Sequence, residues 1–178
     1  MTKVKYKLLF KISYYTIAAF FFVLCGFCIA MDENGYSPLI VAIGVIMAAA
    51  ASVNLAEYII SPKPEKPSPA VFAEGITTVF IALLPIVEGV ACIAILPFVL
   101  ELWELFSGSV KSAESLELRD RHVKIWWLPL TVGVLEILAG IGALLGPFFI
   151  HMPTNLSIAT VMLLQAFGYI IQIYLHGK

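Results

Sequence analysis

The stretch Ala70–Phe106, AVFAEGITTVFIALLPIVEGVACIAILPFVLELWELF, decides how this 178-residue chain is built. As a single helix its 37 residues would extend about 55 Å, well beyond a hydrocarbon core of about 30 Å. Two helices joined by a tight bend at Leu84-Pro85-Ile86-Val87-Glu88-Gly89 fit that thickness. The third span then starts after Pro69 and ends near Pro85, and the fourth runs from about Gly89 to Phe106. Working outward, apolar runs of span length occupy Ile12–Ala30, Ser37–Ile60, Ile125–Phe149 and Thr154–Leu175. The reading is an all-α polytopic membrane protein of six transmembrane helices in a single membrane domain. It divides into three helical hairpins at 12–60, 70–106 and 125–175. A Pro-rich inner linker, 61–69, and an inner loop, 107–124, separate them.

Composition supports this. Hydrophobic residues make up 61% of the chain and charged residues 13%, against about 25% in average soluble domains. Mean hydropathy is +0.96. A soluble fold has too little interior to hide that much apolar surface, so the lipid bilayer is the expected partner. The formal net charge of −1 gives no basis for binding nucleic acid.

The cations test the count of spans. Lys and Arg concentrate on the cytoplasmic side of short loops. Lys3, Lys5, Lys7 and Lys11 precede the first span, and Lys63 and Lys66 follow the second. Lys111, Arg119, Arg121 and Lys124 follow the fourth, and Lys178 follows the sixth. With six spans all 11 fall on one face, which places both termini in the cytoplasm. Trp103, Trp126, Trp127, Tyr14, Tyr15, Tyr58 and Tyr174 then lie at the inner interface and Tyr36 at the outer one, where amphipathic rings are favoured. The first span reads as a permanent helix rather than a cleaved signal.

Hairpins two and three repeat. At an offset of 62 residues, Leu83-Leu84-Pro85 falls on Leu145-Gly146-Pro147 and Glu74 on Glu136. The run from Trp126 to Ile141, WWLPLTVGVLEILAGI, has a tryptophan, then Gly133 followed by aliphatic residues, then Gly140, with Pro147 at the bend. It resembles the repeat of HdeD-type acid-resistance membrane proteins, and Leu83-Leu84-Pro85 resembles the same bend one hairpin earlier. The resemblance covers about residues 70–175, and residues 10–60 in outline. It implies a bacterial protein of the cytoplasmic (inner) membrane with six helices, contributing to acid or envelope stress resistance. It carries over no catalytic residue and no cofactor.

Acids inside lipid are costly and point to function. Glu136 lies about 16 Å below its bend, near the midplane, and Glu74 stands at the same distance from its own. Glu101 and Glu104 share one face of the fourth helix, close to its cytoplasmic end. With the spans so drawn, no Lys or Arg lies inside one to neutralise them. Each acid must be protonated, hydrogen-bonded, or facing water or a cation. Glu74, Glu136, Glu101 and Glu104 are therefore candidates for a proton- or cation-responsive site. The alternative is that Glu74 and Glu136 are protonated struts, while Glu101, Glu104 and Glu57 reach the inner interface. Asn54 reads as a packing polar residue.

On the outer face Asp32, Glu33, Glu88 and His151 form a second candidate, an acid sensor. Acidification would carry that face from about −3 towards +1. Cys25-Gly26-Phe27-Cys28 has the spacing of a redox pair, but it stands in an apolar helix. Gly140, Gly142 and Gly146, with Ala139 and Ala143, form small-residue faces, as do Gly44 and Ala48 to Ala51. They suit packing within one chain or in a homo-oligomer. His122 and His176 have no second ligand at metal spacing, and no nucleophile elbow or phosphate loop is present. The expected protein is thus not an enzyme and binds no metal or cofactor. The rival functions are a small proton or cation transporter or channel, and a membrane thiol oxidoreductase resting on Cys25 and Cys28.

Overall fold

The computed structural model describes residues 3–31, 39–62, 66–149 and 153–175. Six helices follow one another: α1 (Lys3–Ala30), α2 (Leu39–Ile60), α3 (Pro69–Glu88), α4 (Leu96–Asp120), α5 (Trp127–Phe149) and α6 (Thr154–Leu175). No strand occurs among the described residues. Five helices, all but α4, are long and apolar enough to cross a membrane. Their outward faces agree: Phe27, Ile59, Phe80, Val87 and Leu138 are large, apolar and exposed. Such a surface needs lipid around it.

Local chemistry sets the ends. α3 starts at Pro69, where a missing N–H costs nothing, and the Ser68 hydroxyl accepts from the Ala70 amide at 3.2 Å. It stops at Gly89, whose φ of 52° suits glycine. A single 3-10 turn, Gly89–Cys92, leads into α4, with Pro97 in its first turn. The bend therefore lies after Glu88. Pro85 instead sits inside α3, buried against α2, where a methyl on Gly44 would meet its ring at 2.8 Å.

The larger difference is at α4. The segment expected as the inner loop 107–124 is helical through Asp120. Two of its charged residues, Lys111 and Glu114, are buried, while Arg119, Asp120 and Arg121 at its end are exposed. Lys111 and Glu114 lie on the face that packs against the bundle, so burial and hydrogen bonding hold this part of the segment helical.

The closest packing pairs α1 with α6, α2 with α3, and α4 with α5. Contacts also run between α3 and α4, α5 and α6, and α1 and α2. Neighbouring helices alternate in direction. The α4–α5 crossing is the tightest: a methyl on Gly108 would meet the Gly133 carbonyl at 2.5 Å, and one on Gly133 the Gly108 carbonyl at 2.6 Å. Gly140 packs on Leu105 and the Glu101 carbonyl, whereas Gly142 faces open space. Asn155 Nδ2 ties the start of α6 to the end of α1 by donating to the carbonyls of Cys28 (3.2 Å) and Met31 (2.8 Å).

Two further sequence expectations change. Trp103 is not interfacial; it is buried, and its Nε1 donates to Thr78 Oγ1 at 2.9 Å. Tyr14 is likewise buried. Tyr15, Tyr174 and Trp127 are exposed, and Tyr36 lies outside the described residues.

Candidate functional site

The site is built on α4. Glu101, Glu104, Ser107, Lys111 and Glu114 recur every three or four residues and form one stripe, and all are buried. Phe98, Leu102, Phe106 and Leu116 of the same helix are exposed. This is amphipathicity turned inside out. α6 answers with Ser157, Gln165 and Gln172. Ser157 Oγ donates to Glu101 Oε1 (2.9 Å), Gln165 Nε2 to Glu104 Oε2 (2.9 Å) and Gln172 Nε2 to Glu114 Oε2 (3.0 Å). The partners are 56, 61 and 58 residues apart, a nearly constant offset, so α4 and α6 run in the same direction.

At the centre stands Lys111. Its ammonium donates to Ser107 Oγ at 2.8 Å, to Gln165 Oε1 at 3.1 Å and to the Glu136 carboxylate on α5. An ammonium has three protons, and all three are used. Because it can only donate, it fixes the directions around it. The Ser107 oxygen accepts from Lys111 and from Gln165 Nε2 (3.1 Å), and its one proton goes to Glu74 Oε1 on α3 at 2.6 Å. Gln165 spends its oxygen on Lys111 and its amino group on Glu104 and Ser107. The lysine finds room because α6 has a glycine opposite: a methyl on Gly168 would meet Lys111 Cε at 2.8 Å and Nζ at 3.0 Å.

Three carboxyl groups, Glu74, Glu104 and Glu136, thus gather around one ammonium, and the last two are fully buried. Glu104 Oε1 and Glu136 Oε2 have no partner among the described residues. A small cavity of about 20 Å³, with a mixed polar and apolar lining, opens beside the node. Tyr14, Asn54, Glu74, Lys111, Gln165 and Tyr169 are among its lining residues. On its far side Tyr14 donates to the Glu57 carboxylate, linking α1 to α2. Tyr169 stacks between Tyr14 and Phe21, with ring centroids 5.7 Å from each, and accepts from Asn54 Nδ2 at 3.5 Å.

Glu74 and Glu136, matched by the repeat, flank α4 from α3 and α5 and reach the same node, one through Ser107 and one through Lys111. Glu101, Glu104 and Glu57 are buried and hydrogen-bonded rather than reaching an interface. Lys111, expected in the inner loop and outside every span, instead lies within α4 and pairs with Glu136, so these acids do have a cation among them. The polar stripe at three- and four-residue spacing across 101–114 was the signal for it, and the spacing of eight and seven residues from Ser157 to Gln165 to Gln172 was its echo.

Of the outer-face candidates only Glu88 is described; it is exposed at the end of α3. Asp32, Glu33 and His151 lie outside the described residues. Cys25, Cys28 and Cys92 are buried free thiols, and Cys25 and Cys28 belong to the apolar core. Among the described residues no cluster of three or more His, Cys, Asp or Glu side chains is arranged for a metal ion. Compared with protein-family models, curated proteins and solved structures, the chain matches none.

Proposed function

We propose that this chain is a six-span, non-catalytic membrane protein with both termini in the cytoplasm, and that the carboxyl–lysine network is its proton-exchanging element. In that reading it contributes to acid or envelope stress resistance in a bacterial inner membrane, as the resemblance to HdeD-type proteins implies. The carrying observation is the imbalance at the node: three buried carboxyls around one ammonium. One lysine neutralises one carboxylate. The others meet the low dielectric by holding protons or a further cation. A change in proton supply then changes which groups hold the α3, α4, α5 and α6 contacts together. In a deletion strain complemented with variants, Glu136→Gln is expected to give poorer acid survival than wild type at equal membrane level. Survival equal to wild type removes the network from the proposal.

A second reading, a small proton or cation transporter, is favoured by the length of the polar chain. From Glu101 to Glu114 it follows 14 residues of α4, about 20 Å of a roughly 30 Å core. Proteoliposome flux that requires Glu136 would select this reading over the first.

A further inference from the structure

We infer that the cavity beside Lys111 is a binding site for one dehydrated monovalent cation of sodium size, held by Glu74. The inference rests on reading the buried network as the functional site.

The cavity measures about 20 Å³, whereas one water needs about 10–15 Å³. It excludes any organic substrate on size. Beside an apolar wall that includes Val71, its polar lining offers oxygen: the Glu74 carboxyl, the Asn54, Gln165 and Gln172 amides, and the Tyr14 and Tyr169 hydroxyls. Glu74 is itself more than nine-tenths buried. Its Oε1 is taken by Ser107, while Oε2 makes no hydrogen bond to a described residue. Asn54 spends its amino group on Tyr169, and its Oδ1 is likewise unused. Lys111 lines the cavity but gives it no proton, since Ser107, Glu136 and Gln165 take all three. The lining therefore asks for a donor or a positive charge.

Oxygen ligands of this kind suit a hard cation. A divalent ion prefers more carboxylates than the one Glu74 offers here. An anion would meet a carboxylate. The titratable and charged groups that line the cavity are Tyr14 from α1, Glu74 from α3, Lys111 from α4 and Tyr169 from α6; behind them stand Glu57 of α2 on Tyr14, Glu114 of α4 on Gln172 and Glu136 of α5 on Lys111. Lys111 is the cation nearest the site, so it acts as a tethered competitor for the same negative field.

The test uses the full-length protein in detergent. Thermal unfolding is followed with NaCl or choline chloride at constant ionic strength. Sodium is expected to raise Tm saturably, as a ligand of the folded state does, with caesium giving at most a tenth of the affinity. Glu74→Gln is expected to abolish the sodium-specific shift, Asn54→Ala to weaken binding about tenfold, and Lys111→Met to tighten it at least tenfold. Should Glu74→Gln fail to fold, the Asn54→Ala and Lys111→Met pair still decides. Equal Tm in sodium and choline overturns the site, leaving a cavity for water alone. A sodium shift that persists in Glu74→Gln or is unchanged in Asn54→Ala overturns it too. The outcome is separable from the acid-survival result for Glu136→Gln: sodium indifference with impaired survival defeats this site and leaves the network's role intact.

Discussion

Near the starts of α4 and α6, Leu96, Leu100, Ile158 and Met162 pack in one apolar cluster with Leu24, Ile40 and Ile43. One to two turns further along the same two helices the corresponding space is filled by Glu104, Ser107, Lys111 and Gln165. The backbone geometry is the same in both layers; the forces are not. In a lipid solvent an apolar side chain gains little by leaving the tails, so the first layer is held by close contact. The second is held by bonds whose directions are fixed by a donor-only ammonium and whose loss leaves charge without a partner. The apolar layer fills space. The polar layer sets which turn of α6 faces which turn of α4.

Substitutions can break or sharpen this contrast, all read by reversible unfolding in mixed micelles. Lys111→Met has the largest expected cost, about 3–5 kcal/mol, because it strands the Glu136 carboxylate. The double variant Lys111→Met/Glu136→Gln is expected to recover most of that loss; an additive double variant would show that the layer is not a network. Met162→Ala, in the apolar layer, is expected to cost about 2–3 kcal/mol and to add simply to a Lys111 variant's cost if the layers are independent. Gly133→Ala is expected to cost about 1–3 kcal/mol, since its methyl meets the Gly108 carbonyl and the Ser112 amide, backbone atoms that cannot swing aside. Gly142→Ala, on a helix face with nothing within 4 Å, is expected to gain about 0.5–1 kcal/mol. A loss there would mean that a second copy packs on that face.

The apolar layer was legible in the sequence and the polar one only in part. Runs of Ile, Leu, Val and Ala are bounded by Pro and Gly, so α2, α5 and α6 appear within two residues of their observed ends. α4 starts about two turns later than expected and ends about four turns later, because hydropathy treats Lys111, Glu114 and Glu117 as marks of a loop. Their three- and four-residue spacing says helix, but which face turns inward depends on partners 50 to 60 residues away. The repeat paired Glu74 with Glu136, and the two carboxyls contact Ser107 and Lys111 of α4. It gave no sign that Ser107 and Lys111 would stand between them, since neither has a counterpart one repeat earlier. Gly133, quoted only as part of a pattern, proves to be the tightest contact, and a glycine's role is visible only once its neighbour is known.

The inverted amphipathicity of α4 also bears on how the chain is made. An isolated helix with three glutamates and a lysine on one side partitions poorly into a bilayer, at roughly 2.5–3.5 kcal/mol for each charge near the centre. Ser107 can be satisfied by α3, which is already synthesised, but Glu136 and Gln165 have yet to emerge when α4 leaves the ribosome. In the proposed six-span arrangement α4 waits at the insertion machinery, or in the headgroup layer, until the last two helices arrive. Truncation after residue 124 should leave it accessible to water, and a C-terminal fragment supplied separately should draw it in.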